Sequence, residues 1–567
     1  MEFLLSDTHM WKDWVDRNRS VIFFALGGIG GITQAWTARG AFSPDLLNYL
    51  ALARTLLRDG WTSAANGFWS PFYSWLLALP MYLHMVKPHN ELYWVHALNL
   101  GIFFVSMLCF HVFLSHALRL AALKAGNISS WLRIETWWYF AACSLFLCAV
   151  FSWLPNALGT PDLLIASFIF LAAGYVAAIV SSDRSWPNYV LLGASLAMGY
   201  LSKAPGFPIA LVFFAMLPFI SWREEWSWVK CLIAVLVFAL VAGPFLYTLS
   251  KKEGHLTFGE SGRVASLIYV NGLPPYWLGE RIGDRPGPDE LVCNKPDVLM
   301  FASSPRGTFL PSYAPSVWYA GLFPRPQIKR ELQNIRAGVH TLAEMVVTET
   351  DLILGLLVLL SFAGAVQTFR SVAQWWFFWF PAIAGTSMFL AVHLEERFVA
   401  PFIVLAAVGI FAGVLQANAR KSRLAVHVLW AIIALQSGRA AVEAFKGLFG
   451  SPVSSQTTAA RIVYDLDHNG VPPGSKIALV GFLAGPYWEW MGQYSIVGEI
   501  PSSNIAEFLG TPKADRERVY SCLASTGAQA AIIYSDSPQL LDPGWQSVGP
   551  DELYVRLLSP RSSNSAK

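Results

Sequence analysis

Thr160-Pro161-Asp162, followed by LLIASFIFLAAGYVAAIV over 163–180, is the stretch on which the fold turns. One carboxylate opens it, and no other charged side chain follows for about the 20 residues that a helix needs to cross a hydrocarbon core. A barrel strand would alternate apolar and polar residues, and this run does not, which excludes a β-barrel. Comparable runs recur at 20–38, 92–118, 136–155, 187–202, 206–221, 229–250, 352–369, 374–392, 398–416 and 424–443. Together they predict a polytopic α-helical membrane protein with about eleven transmembrane helices. Segment 71–86 is apolar but short and split by Pro80, so it reads as a re-entrant or surface-lying piece.

Composition agrees. Of 567 residues 54% are hydrophobic and 14% charged, against about 25% charged in soluble domains. The net charge of +3 is too small to suggest a nucleic-acid partner. Many of the 24 tryptophans fall near the ends of apolar runs, as an interfacial belt requires. Met1 to Ser20 shows no cleavable signal pattern. The six cysteines form no metal spacing. Cys109, Cys143, Cys148 and Cys231 read as small core residues, and Cys293 and Cys522, in polar regions, could pair in an oxidising compartment.

Lysines and arginines in the short loops set the orientation. With the N-terminus (Lys12, Arg17, Arg19) inside and 71–86 not crossing, the inner loops carry Arg119, Lys124 and Arg133, then Arg184, then Arg223 and Lys230, then Arg370, then Arg420, Lys421 and Arg423. The outer face then receives 39–91, 156–161, Lys203 to Pro205, 251–351, His393 to Arg397 and everything after about 444. Residues 1–443 are expected to form the membrane domain, with 39–91 and 251–351 as its outer loops. The stretch 251–351, rich in Gly and Pro, reads as a long loop with short helices. Residues 450–567 read as a small C-terminal soluble α/β domain. Lys476 to Gly481 and Ala530 to Tyr534 are its buried strands, 513–526 a helix, and Val471 to Ser475 a turn.

Several polar residues at the span ends need a reason. Asp45, in Ser43-Pro44-Asp45-Leu46-Leu47-Asn48-Tyr49, opens a helical pattern. Ser43 or Asp45 could cap that helix, or Asp45 could be a partly desolvated general base at the membrane face. Asp162 could be a helix N-terminal charge, or with Asp45 form an acceptor or divalent-cation site. Lys203 sits in a very tight turn between two spans, where it either snorkels or meets an anion. Arg397, in His393-Leu394-Glu395-Glu396-Arg397, could grip a phosphate in a bidentate way or pair with Glu395 or Glu396. Arg39 could orient Asp45 or touch headgroups. Gly27, Gly28, Gly30 and Gly31 are expected to allow close helix packing.

In order along residues 20–420 the chain carries Asp45 with Asn48-Tyr49, Trp69-Ser70-Pro71-Phe72-Tyr73, Thr160-Pro161-Asp162, Leu201-Ser202-Lys203-Ala204-Pro205, and Glu396-Arg397-Phe398 with Pro401. This pattern resembles the GT-C glycosyltransferases, the membrane enzymes that use polyprenyl-phosphate sugars. It is nearest to bacterial relatives of protein O-mannosyltransferases and aminoarabinose transferases. The resemblance implies inverting transfer from a polyprenyl-phosphate sugar donor to a glycan, lipid or protein acceptor. It places the reaction on the extracytoplasmic side of a bacterial inner membrane, in building the cell envelope. Asp45 would be the base and Asp162 a second catalytic acid. Lys203 and Arg397 would hold the donor phosphate, with Arg39, Asn48, Tyr49, His393 and Glu396 in support. The family motif often has a second acid beside the first-loop one, whereas here Pro44 and Leu46 flank Asp45. No cofactor is implied with certainty, and a divalent cation fits.

Two other classes compete. A secondary transporter or flippase would need polar or broken helices near the midplane, often with an internal repeat, and the sequence has no repeat. A scaffold that displays the C-terminal domain would leave Lys203 and Arg397 without a role.

Overall fold

The computed structural model describes residues 2–558 apart from 88–89, 126–127, 156–158, 182–184, 222–226, 281–288, 302–304, 363, 419–421, 450–454, 482–486 and 551. Of the inner-loop cations, Arg184, Arg223, Arg420 and Lys421 lie outside the described residues. The chain divides into two compact units.

The first unit comprises Met1–Ala38, His96–Thr248 and Ile328–Pro452. Its described residues form no strand. The apolar stretch after Pro161 forms the helix Asp162–Val180, with Asp162 in its first turn, where the helix dipole favours an acid. It packs along Trp186–Ser202, while Ile128–Ser152 packs along Ser422–Phe445 and Trp376–Leu390 along Glu396–Ala417. Between helices in lipid, van der Waals fit is the main attraction, because lipid tails are as apolar as leucine. The first span achieves this fit through its glycines: a Cβ on Gly30 would stand 2.8 Å from the Phe151 ring, and one on Gly31 would overlap Phe103.

Each predicted span contains helix, but not always a crossing length. Among the described residues seven helices are long and apolar enough to cross a membrane, or eight with one bent pair. Trp186–Ser202, Gly206–Ser221 and Trp376–Leu390 have 17, 16 and 15 residues, about 23–26 Å at 1.5 Å per residue. The predicted span 352–369 is corrected: helix Thr350–Phe362 ends, Gly364 is extended, and a new helix runs Ala365–Ala373. Upstream, Ile328–Thr348 bends by 74° into Thr350–Phe362. Ile328, Leu332, Ile335 and Val339 form an exposed stripe on that upstream helix, which suits it to lie along the membrane interface. At the bend, Arg439 Nη2 donates to Glu349 Oε2 (2.7 Å) and to Asp351 Oδ1 (2.8 Å). No sequence pattern signalled this network.

The second unit comprises Arg39–Val95, Leu249–Gln327 and Val453–Lys567. Among the described residues its centre is a seven-stranded sheet of order β1-β2-β4-β3-β5-β7-β6. The two apolar runs read as strands are β3 (Lys476–Val480) and β5 (Ala530–Tyr534), which pair in parallel, Ile477 opposite Ala530. β4 (Ser495–Ile500) lies parallel on the other side of β3. β6 (Gln546–Val548) and β7 (Leu553–Leu557) extend the sheet antiparallel beyond β5. Val480, Ile500, Ile533 and, from the predicted helix Lys513–Ser525, Leu523 form the core on one face. Gly474, at φ 87°, closes the Pro-Pro-Gly turn before β3.

The stretch 251–351 is more than loop and short helices. It supplies β1 (Asp289–Cys293) and β2 (Val298–Phe301), an antiparallel pair whose Leu299 registers with Glu499 of β4. These strands of five and four residues carry no period to read, and their pairing with a strand far along the chain is what fixes them. Cys293 of β1 and Cys522 of Lys513–Ser525 are joined as a disulfide, Cα to Cα 6.1 Å.

Glu489 and Glu499 are buried in this unit, and neither oxygen of Glu489 meets a hydrogen-bond partner among the described residues. Burial, and for Glu489 the charge of Glu499, pushes both carboxyls well above the usual range. The folded state therefore holds protons that the unfolded chain releases above about pH 4.3, so stability falls as pH rises beyond that value. Glu489→Gln is expected to flatten this decline between about pH 5 and 9. Thermal unfolding followed by tryptophan fluorescence checks it, and a variant whose melting tracks wild type across that range would refute it.

Candidate active site

In the first unit three charged side chains from separate helices converge. Asp162 opens the helix Asp162–Val180 after Pro161. Lys203 is the extended residue that caps Trp186–Ser202, at φ −156°. The turn it occupies is tight enough that a Cβ on Gly206 would stand 2.6 Å from the Gly199 carbonyl. Arg397 lies in the first turn of Glu396–Ala417. Lys203 Nζ donates to Asp162 Oδ1 (2.5 Å), and Arg397 Nη1 reaches Asp162 Oδ2 (3.5 Å). The Asp162 side chain is only 5% exposed, and the two cations just over a fifth.

A second layer holds Arg397. Its Nε donates to Glu395 Oε2 (2.6 Å), whose other oxygen lies 3.3 Å from His393 Nε2. Burial alone would raise the Glu395 carboxyl, but His393, Arg397 and Lys203 outweigh it and hold it at about 2. The stability it contributes is therefore present above the usual glutamate value and is lost as pH falls towards 2. Phe398 forms an aromatic floor, with Lys203 Nζ 4.2 Å and the Arg397 guanidinium carbon 5.1 Å from its ring centre. Glu396 is exposed.

Asn99, Thr160, Asp162 and Arg397 line a pocket of only about 10 Å³, room for about one water. Asp162 thus occupies the two cations as an internal counter-ion. A phosphate has the charge and the acceptor oxygens to take its place. Asn99, Glu395 and Phe398 were not singled out as ligands from sequence. A ring or carboxylate beside a cation in the same short turn is the signal that could have found the last two.

Asp45 belongs to the second unit. Ser43 is the N-cap of helix Pro44–Asp59, its Oγ accepting from the Leu46 N–H at 3.4 Å, which leaves Asp45 in the first turn but not as the cap. Asn48 is buried and donates to the Pro44 carbonyl at 3.4 Å. Tyr49 packs edge-on against Trp69 and Tyr73, each with ring centres 5.2 Å away. The N–H groups of Phe68 and Trp69 both donate to Asn66 Oδ1 (2.8 and 3.0 Å), so the Asn66–Tyr73 motif is a rigid support for the Asp45 helix. Arg39 lies in the turn before that helix. Among the described residues no group of three or more His, Cys, Asp or Glu is placed to hold a metal ion.

No family model and no curated protein matches the sequence. Among solved structures, ArnT from Cupriavidus metallidurans in the apo state aligns over 96% of this chain and 98% of its own, at a TM-score of 0.50 and 13% identity. The chain shares the fold of that structure. The same ArnT bound to undecaprenyl phosphate aligns over 94% of this chain and 97% of its own (TM-score 0.42, 14% identity). The apo oligosaccharyltransferase of Archaeoglobus fulgidus aligns over 93% and 70% (TM-score 0.47, 11% identity). The several apolar helices of crossing length make it a multi-pass membrane protein, and the second unit adds a sheet built largely from C-terminal strands.

Proposed function

We propose that this protein is a glycosyltransferase that moves a sugar from a polyprenyl-phosphate donor to an acceptor hydroxyl, with inversion, on the extracytoplasmic face of a bacterial inner membrane. The observation that carries it is the convergence of Lys203 and Arg397 on one buried anion, Asp162, at the ends of apolar helices. Half-buried cations at a span end need an anion, and a lipid-borne phosphate reaches that depth. The acceptor is a glycan, lipid or protein.

Asp45 takes the proton of the acceptor hydroxyl. The freed oxygen attacks the anomeric carbon from the face opposite the phosphate, and the bond from that carbon to the phosphate oxygen breaks. Polyprenyl phosphate leaves with the bonding pair, its added charge met by Lys203 and Arg397. Asp162 and Glu395 position those cations before the donor arrives. The Cys293–Cys522 disulfide and the basic inner loops both favour an oxidising outer compartment for the second unit.

Reconstitution in liposomes containing a lipid-linked sugar tests this against the flippase alternative. The transferase releases free polyprenyl phosphate when acceptor is supplied. Intact donor recovered in the opposite leaflet, with no polyprenyl phosphate released, would replace the transferase with a flippase.

A further inference from the structure

The second unit holds a cationic cavity that shares no residue with the clamp of Lys203 and Arg397. Arg54, Leu57 and Arg58 line it from the last turns of Pro44–Asp59, Met81 from Pro71–Tyr82, Val86 and Lys87 from the turn that follows, and Glu91 from the next helix. Its volume is about 360 Å³, enough for a small polar headgroup.

One side of the cavity is rigid. Glu91 is buried and accepts from Arg54 Nη2 (2.8 Å), Tyr487 Oη (3.3 Å) and Trp490 Nε1, while the Arg54 guanidinium lies 3.8 Å from the Trp490 ring centre. This fixes Arg54 and spends the one carboxylate among the lining residues on it. The other side is available. Arg58 donates Nε and Nη2 to Asp59 but leaves Nη1 without a partner among the described residues. Lys87, which also lines the cavity, is exposed.

The rim is apolar. Leu57, Leu79, Tyr82, Leu83 and Met85 are between 41% and 68% exposed. Four of them lie within seven consecutive residues, around a turn where His84 takes φ 55°. A cluster of exposed apolar side chains in a membrane protein marks a surface wetted by acyl chains. Cations set just behind such a surface sit at headgroup depth.

We infer that this cavity binds the phosphate headgroup of an anionic membrane lipid, held by Arg58 and Lys87 against the fixed Arg54, with the acyl chains lying over Leu83 and Met85. The inference does not depend on the transferase assignment. It would anchor the Asp45 helix to the bilayer surface through its C-terminal turn.

The test uses the full chain in neutral detergent with three probes: a short-chain phosphatidylglycerol, the matching phosphatidylcholine, and inorganic phosphate. Ligand-dependent melting is the readout. Phosphatidylglycerol is expected to raise the melting temperature of wild type. Arg58→Ala with Lys87→Ala is expected to weaken that binding about 30-fold, roughly 5-fold for each cation removed. Both positions are exposed, so the fold is retained. Leu83→Ser with Met85→Ser, a second variant, is expected to weaken lipid binding while keeping both cations. Wild-type affinity in the double alanine variant would overturn the inference. So would an equal response to phosphatidylcholine, which needs no cation site, or to inorganic phosphate, which would assign the cavity to a free anion.

Discussion

Asp45→Asn is expected to lower the rate of sugar transfer by about 10²–10⁴-fold, the usual contribution of a positioned general base. The substitution keeps size and shape and removes only the ability to accept a proton. The fold should survive, because Ser43 rather than Asp45 caps the helix. What is lost in stability is the favourable charge at the helix N-terminus, about 0.3–1 kcal/mol. Donor binding should be unchanged, since the phosphate contacts are assigned to Lys203 and Arg397. The measurement is release of polyprenyl phosphate under single-turnover conditions, with melting temperature as the control. Wild-type turnover in folded Asp45→Asn protein would remove Asp45 as the base.

Lys203→Ala combined with Arg397→Ala is expected to weaken polyprenyl-phosphate binding by about 100-fold or more, given about 1.5–3 kcal/mol for each charged hydrogen bond. The double variant also strands Asp162, whose side chain is 5% exposed, and breaking a buried pair costs about 3–5 kcal/mol. Asp162→Asn separates the two effects. It removes the internal counter-ion while leaving both cations, so it should tighten phosphate binding and lower thermal stability. A catalytic acid would behave in the opposite way: transfer would drop with no change in donor affinity. Isothermal titration with polyprenyl phosphate in the same detergent decides between them. Undiminished binding in the Lys203, Arg397 double variant would remove the clamp.

Much of this site was legible in the chain because charge is costly in hydrocarbon. Lys203 between two apolar runs and Arg397 beside another had to be satisfied by something, and that requirement singled them out. Their shared partner was not legible. Asp162 lies 41 residues before Lys203 and 235 before Arg397, and nothing local joins them. The choice of Glu395 over Glu396 as the partner of Arg397 also needed the turn geometry, since both acids are within reach in sequence. In the same way the Trp69–Tyr73 motif was visible, but its job of packing on Tyr49 was not.

The sequence by itself determined the class: long uncharged runs demand helices in a bilayer, because no other element satisfies its backbone there without closing into a barrel. It also marked β3 and β5 as buried strands, since short apolar runs between turn residues have few other ways to be buried, while their parallel pairing came from the tertiary structure. Tertiary structure decided what depends on partners far along the chain. It broke the predicted span 352–369 at Gly364, drew β1 and β2 out of an apparent loop onto β4, and joined Cys293 to Cys522. It also closed Lys203 and Arg397 on Asp162. Local periodicity records which face of a segment is apolar. It does not record which distant charge or strand will meet that segment, because that is set by packing energy summed over the whole unit.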